Sequence, residues 1–314
     1  MHSRTRTLLV AVLTASTFTG RAEEGGSGHY IPGSMSSFAD GVPTEETFVT
    51  RYNMLYYSGE IDVTGGPLPI AGLNAAGAEA SSWAHGLTML WRTPWDLGDD
   101  KLGYAFSVTV PTVSVDVKAQ VGPFERSDAI DALGDMVIMP AMFNYQFSED
   151  FNLNGRFGIY APTGAYEVGQ LANAGKNYWS YEPTIGLMYF GKENGIEASL
   201  FGGATFNSEN PDTNYETGTQ VHLDGVLAQH FPLGKGFAGV GVNAFWYEQV
   251  TGDRGPGAFL GDFEGRTAGL GPAVSYAGKI GDTDFVAELK WLHEMETKNR
   301  LEGDYVWLKV LFKF

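Results

Sequence analysis

Residues 305–314 read YVWLKVLFKF, and their alternation decides the fold. Val306, Leu308, Val310, Phe312 and Phe314 alternate strictly with Tyr305, Trp307, Lys309, Leu311 and Lys313. A period of two belongs to a β-strand with unlike faces. One face is wholly apolar; the other carries two lysines and an aromatic pair. A bare apolar strand at a sheet edge recruits other chains. Closing the sheet into a barrel removes that edge by pairing the last strand with the first. The competing reading is a core strand of a soluble sandwich, and the rest of the chain must arbitrate.

Working outward, the same alternation recurs from about Thr47 onward. Twelve strands are expected near 47–60, 80–94, 103–118, 129–147, 151–163, 177–191, 195–208, 217–231, 236–250, 265–278, 283–294 and 304–314. In 195–208, Ile196, Ala198, Leu200, Ala204 and Phe206 face away from Glu197, Ser199, Phe201 and Thr205. Pro94 and Pro140 mark bulges or ends. Each segment exceeds the ~9–11 residues that a tilted strand needs to cross a bilayer. Connections alternate between tight (Glu149-Asp150, Gly234-Lys235, Gly281-Asp282) and long (about 61–79, 119–128, 164–176, 209–216, 251–264). Short turns at one end and long loops at the other define the topology of an outer-membrane barrel. Aromatic residues near strand ends, among them Tyr56-Tyr57, Trp91, Trp95, Tyr178-Trp179, Trp246-Tyr247, Trp291 and Tyr305, fit interfacial girdles. The expected fold is therefore all-β: a single transmembrane up-and-down antiparallel barrel of about 12 strands over 47–314. Tyr305, Phe312 and Phe314 lie on the strand that resembles the terminal signature marking such barrels for insertion.

Composition agrees. The 314 residues contain 42 glycines, 13% aromatics and no cysteine, which excludes disulfides, thiolate metal sites and cysteine nucleophiles. A net charge of −17 argues against nucleic acid as partner. Residues 1–22 read as a signal peptide: His2, Arg4 and Arg6 precede the apolar run Leu8–Leu13, and Gly20-Arg21-Ala22 offers small residues for cleavage. Export to the outer membrane of a Gram-negative-type bacterium is the expected route, with outer-membrane lipid and the barrel-assembly machinery as partners.

Residues 23–46 lack a strand period. They contain HYIPGS (29–34) and FADGVP (38–43), with turn pairs at Pro32-Gly33 and Asp40-Gly41. Such a segment suits a tail, a periplasmic loop or an inward-folded constriction; we take it to fold into the lumen as a plug, with Tyr30, Pro32 and Phe38 lining a solute path. If the apolar faces look outward, the lumen receives Arg51, Asn53, Tyr57, Arg92, Asn144, Asn152, Asn154, Arg156, Glu182, Glu197, His222, Asp224, Asn243, Glu288, Lys290, Tyr305 and Lys309. Of these, Arg51, Arg92, Arg156, Glu182, Glu197, Asp224, Glu288 and Lys290 are the candidate solute-path residues. No HExxH or GxSxG occurs. His222 and Asp224 share a strand face, which suits a hydrogen-bond network better than a metal site. No catalytic residue, metal or cofactor is expected.

The stretches His29–Ser34 and Phe38–Pro43, with Asn177-Tyr178-Trp179-Ser180, resemble motifs of the phenol-degradation MetA-pathway-like family of outer-membrane proteins. That resemblance implies a β-barrel channel for small hydrophobic or aromatic compounds. The alternative is a non-transport barrel, a lipid-modifying hydrolase or an adhesin, which needs a Ser/His/Asp set or a sticky patch on its loops.

Overall fold

The computed structural model describes residues 27–61, 68–70, 73–75, 77–121, 123–258 and 263–314. The expected signal peptide lies outside them. The described strands are β1 (Thr47–Ile61), β2 (Leu68–Ile70), β3 (Leu73–Ala75), β4 (Gly77–Arg92), β5 (Leu102–Val121), β6 (Phe124–Leu133), β7 (Met136–Gln146), β8 (Phe151–Ala161), β9 (Ser180–Phe190), β10 (Ile196–Asn207), β11 (Gln220–Leu233), β12 (Gly236–Gln249), β13 (Arg266–Ile280), β14 (Thr283–Lys298) and β15 (Glu302–Lys313). Twelve of them close an antiparallel ring in the order β1-β15-β14-β13-β12-β11-β10-β9-β8-β7-β5-β4, with β4 returning to β1. The seam pairs first strand with last, from Val49 against Lys313 to Glu60 against Glu302.

Closure sorts the alternating residues. Leu87, Ile185, Leu200, Leu227, Val240 and Leu289 are exposed on the outside, while Asn154, Glu182, Glu197, His222, Asp224, Asn243 and Lys290 are buried inside. An outward apolar band around a polar interior is the arrangement a bilayer demands.

Three expectations are corrected. The strand expected over 129–147 is two, β6 and β7, broken at Gly134-Asp135. Gly134 N–H donates to Pro111 O. Pro111 itself divides β5 into a stretch paired with β7 and a stretch paired with β6. So β6 is an added strand beyond the ring, and the loop expected at 119–128 is mostly the β5–β6 hairpin. The strand expected from 177 starts at Ser180, because Asn177 sits at φ 59°, outside strand geometry. Finally, Tyr178 and Tyr247 are not girdle residues, and Tyr57 and Tyr305, expected at strand ends in the girdle and also in the lumen, take the lumen side. Their positions in the alternation turn Tyr57, Tyr247 and Tyr305 into the lumen, and Tyr178 is buried against His29. Pro140 does sit at a register shift, between Ile138 and Ala141.

Candidate functional site

The lumen is crossed by residues 28–44, whose one regular element is a 3-10 turn, Phe38–Asp40. Its course is defined by polar contacts to the wall. At the long-loop end, His29 Nδ1 lies 2.6 Å from Ser180 Oγ and Nε2 lies 2.9 Å from Asp135 Oδ2, with the ring stacked on Tyr160. Next, Tyr30 OH donates to Asp224, and Gly33 N–H donates to the other oxygen of that carboxylate at 2.7 Å. Trp307 Nε1 donates to Pro32 O (3.1 Å), Lys309 Nζ to Ser34 O (2.8 Å) and Lys290 Nζ to Ser36 Oγ (2.8 Å). Phe38 N–H donates to Glu197 (2.6 Å) and Val42 N–H to Asn154 (2.7 Å), and the chain then enters β1.

Asp40 anchors the lower half. Its side chain is buried; both its oxygens lie 2.7 Å from Lys309 Nζ, and Arg51 Nη1 is 3.3 Å away. The same carboxylate accepts Ser36 and Ser37 N–H, capping its own turn. Burial alone would raise its pKa, but Lys309, Lys290 and Arg51 reverse that and hold it well below the usual carboxylate range. Asp135 is also held low: burial opposes ionisation, and the His29 ring with the N–H groups of Gly164 and Lys176 outweighs it.

Each sequence-predicted lumen residue can now be located. Tyr30, Pro32 and Phe38 lie inside the ring against the wall, and Phe38 packs between Phe190 and His230. Arg51, Arg156, Glu197, Asp224 and Lys290 contact the segment directly. Glu182 accepts Tyr160, Thr184 and Thr205, and His222 lies 3.5 Å away, stacked on Tyr30. Glu288 pairs with Lys290 at 3.3 Å. Arg92 donates to Thr93 O and Thr44 O near the segment's root. Phe312 lies on the outer face of β15, and exposed Phe314 pairs through its backbone with Phe48.

Two clusters escaped the sequence. Around Glu294, the Thr267, Tyr57 and Tyr305 hydroxyls all donate to one carboxylate, and Arg300 reaches Tyr305 while covering the Tyr247 ring. The other is the Ser180–His29–Asp135 set. It unites the residue types of a hydrolase, but Ser180 gives its hydroxyl proton to Asn207 Oδ1 at 2.5 Å. The same Oγ lies 2.6 Å from His29 Nδ1, and Ser180 is fully buried between the two partners, away from any solute path. This set fastens the segment.

Two cavities stand out. One of about 1370 Å³ lies at the long-loop end, among the tips of β1, β4, β5, β6 and β14–β15; no residue of the segment lines it, and much of its wall is made by outward residues such as Tyr56, Ser58, Asp116 and Asp304. One of about 210 Å³ lies below Asp40, between the segment and the short-turn ends of the strands.

A closed antiparallel ring with an apolar outer band and a polar, side-chain-lined interior is the fold of an outer-membrane β-barrel. The family described as "Putative MetA-pathway of phenol degradation" matches residues 61–310, and the chain belongs to it. That span includes Asn177–Ser180 but begins after the two N-terminal stretches. An outer membrane channel from Pseudomonas putida F1 has a similar structure, with a TM-score of 0.67 over 91% of this chain and 100% of its own, at 14% identity. The β domain of a Bordetella autotransporter matches at a TM-score of 0.49, covering 86% of this chain and 100% of its own, at 10% identity, too distant to bear on the fold. No curated protein sequence matches the chain.

Proposed function

We propose that the chain is a passive outer-membrane channel for small hydrophobic or aromatic compounds, not an enzyme, and that residues 28–44 are its plug. The observation that carries this reading is how the interior is filled. Beside apolar contacts of Met35, Ala39 and Val42 with Leu90, Met142, Met188 and Phe201, the segment meets the wall through a series of hydrogen bonds and ion pairs, spread from Asp135 to Asn154. The polar contacts each contribute modestly and can be exchanged for water or solute one at a time. The cavity below the segment marks where a path continues toward the short-turn end. Family membership and its phenol-degradation description support aromatic compounds as the solutes. The Pseudomonas channel supports passage through the lumen and an outer-membrane location.

The test is conductance of the refolded chain in a planar bilayer, with and without residues 29–43. Steps that grow several-fold on deletion are expected. No steps from either form, with the barrel folded by circular dichroism, would overturn the channel.

A further inference from the structure

The charges around the lower cavity are one-sided. Among the described residues lining it, Arg51, Arg156 and Lys313 are the cations, and Asp40 is the one carboxylate. Asp40 belongs to the segment, so the barrel itself offers this cavity only positive charge. Lys290 and Lys309 extend the cationic patch behind Asp40, with Glu288 as the wall carboxylate between them. Five wall cations therefore meet one wall carboxylate. Arg51 Nε and Arg156 Nε have no hydrogen-bond partner among the described residues. A guanidinium fork with unused donors suits bidentate capture of a second carboxylate. In the rest of the lining, Leu90, Met142 and Phe190 offer ring-sized apolar contacts, beside the neutral polar Thr88, Asn144 and Asn152. At about 210 Å³ the space is below the ~300 Å³ at which sites for drug-sized ligands begin, which restricts it to single-ring solutes.

We propose that this patch is a recognition site for small aromatic carboxylates, and that Asp40 occupies it in cis until such a solute replaces it. The proposal rests on the channel reading and narrows its solute class. The solute's ring lies against Leu90, Met142 and Phe190, and its carboxylate takes over Arg51 and Lys309 from Asp40. The lower half of the segment then loses its strongest anchor, so the solute that fits is also the one that loosens the plug. A neutral ring of the same size fills the cavity but cannot displace Asp40.

The experiment compares benzoate with benzyl alcohol by titration calorimetry on the refolded full chain in detergent, and by swelling of liposomes that carry it. Asp40→Asn removes the competing charge and keeps an acceptor for the Ser36 and Ser37 N–H groups. It is expected to tighten benzoate binding about tenfold, the worth of one charged hydrogen bond, and to leave benzyl alcohol unmoved. Adding Arg51→Gln, a change on the barrel wall alone, is expected to abolish the preference for benzoate. Benzoate binding no better than benzyl alcohol in Asp40→Asn, or with unaltered affinity after Arg51→Gln, overturns the site. Benzoate bound in this charge-dependent way without liposome entry overturns the channel and leaves the site standing. Equal entry of both solutes with no difference in binding does the reverse.

Discussion

The two sides of the lumen carry opposite charge. On β9, β10 and β11 the inward residues are Glu182, Glu197 and Asp224, accompanied by His222 and His230. On the lower part of β1, β14 and β15 they are Arg51, Lys290 and Lys309, with Glu288 between the lysines and Glu294 nearer the long-loop end, beside Arg300. The segment answers each side in kind. It turns donors to the acidic wall, through Tyr30 OH, Gly33 N–H and Phe38 N–H. It turns acceptors to the basic wall, through Ser34 O, Ser36 Oγ and the Asp40 carboxylate. The difference lies in what holds when water returns. The acidic wall takes neutral donors, while the basic wall holds a full charge. A buried pair stripped of one partner leaves an uncompensated ion, which costs more than a lost neutral bond.

That asymmetry can be attacked in order of effect. Removing residues 29–43 breaks both sides at once and should raise single-channel conductance several-fold. Lys309→Gln should come next. It withdraws the closest partner of both Asp40 oxygens and an acceptor contact at Ser34, and should loosen the plug by about 3 kcal/mol, read as faster amide hydrogen exchange over residues 34–42. Asp224→Asn should cost less, about 1–2 kcal/mol, because an amide oxygen still accepts from Tyr30 or Gly33; the faster exchange should be confined to residues 30–33. If Asp224→Asn proves the more damaging, the ranking of the two walls is wrong.

The smallest effect expected is that of pH. Asp40 is depressed below its unfolded value near ~3.9, so its contribution is complete above that value and is lost only as pH falls through the much lower folded one. The conductance difference between the native chain and Asp40→Asn should therefore stay flat from about pH 5 to 7. A difference that collapses within that window would mean that the lysine pair does not hold Asp40 ionised.

Much of this was legible in the sequence, for a definable reason. In a barrel, parity alone decides which side of the wall a residue takes, and parity is local. Glu197, Ser199 and Phe201 are inward because Leu200 is outward, and no knowledge of partners is needed. The strands whose limits were misjudged are those where something non-local intervenes. β6 separates from β7 because Gly134 bonds to Pro111, and β9 starts late because Asn177 turns in a left-handed conformation. Tyr247 was placed by residue type where parity should have decided. The fastening of His29 was out of reach, since Asp135 and Ser180 lie 106 and 151 residues away in sequence. Nor could the apposition of the two walls be read, because it depends on how five strands curve between β10 and β1.

The segment's short root has one more consequence. Only three residues, Thr44 to Glu46, lie between Pro43 and Thr47, where β1 begins, so the four steps reach about 14 Å at ~3.5 Å per residue. However often Asp40 leaves Lys309, it cannot go far. Its carboxylate is present at the patch as if dissolved at millimolar concentration, the usual value for a short tether. A free solute must match that standing supply. The threshold at which such a channel begins to respond to its cargo is then set by tether length, and lengthening the Pro43–Thr47 link would lower it without altering a single contact in the lumen.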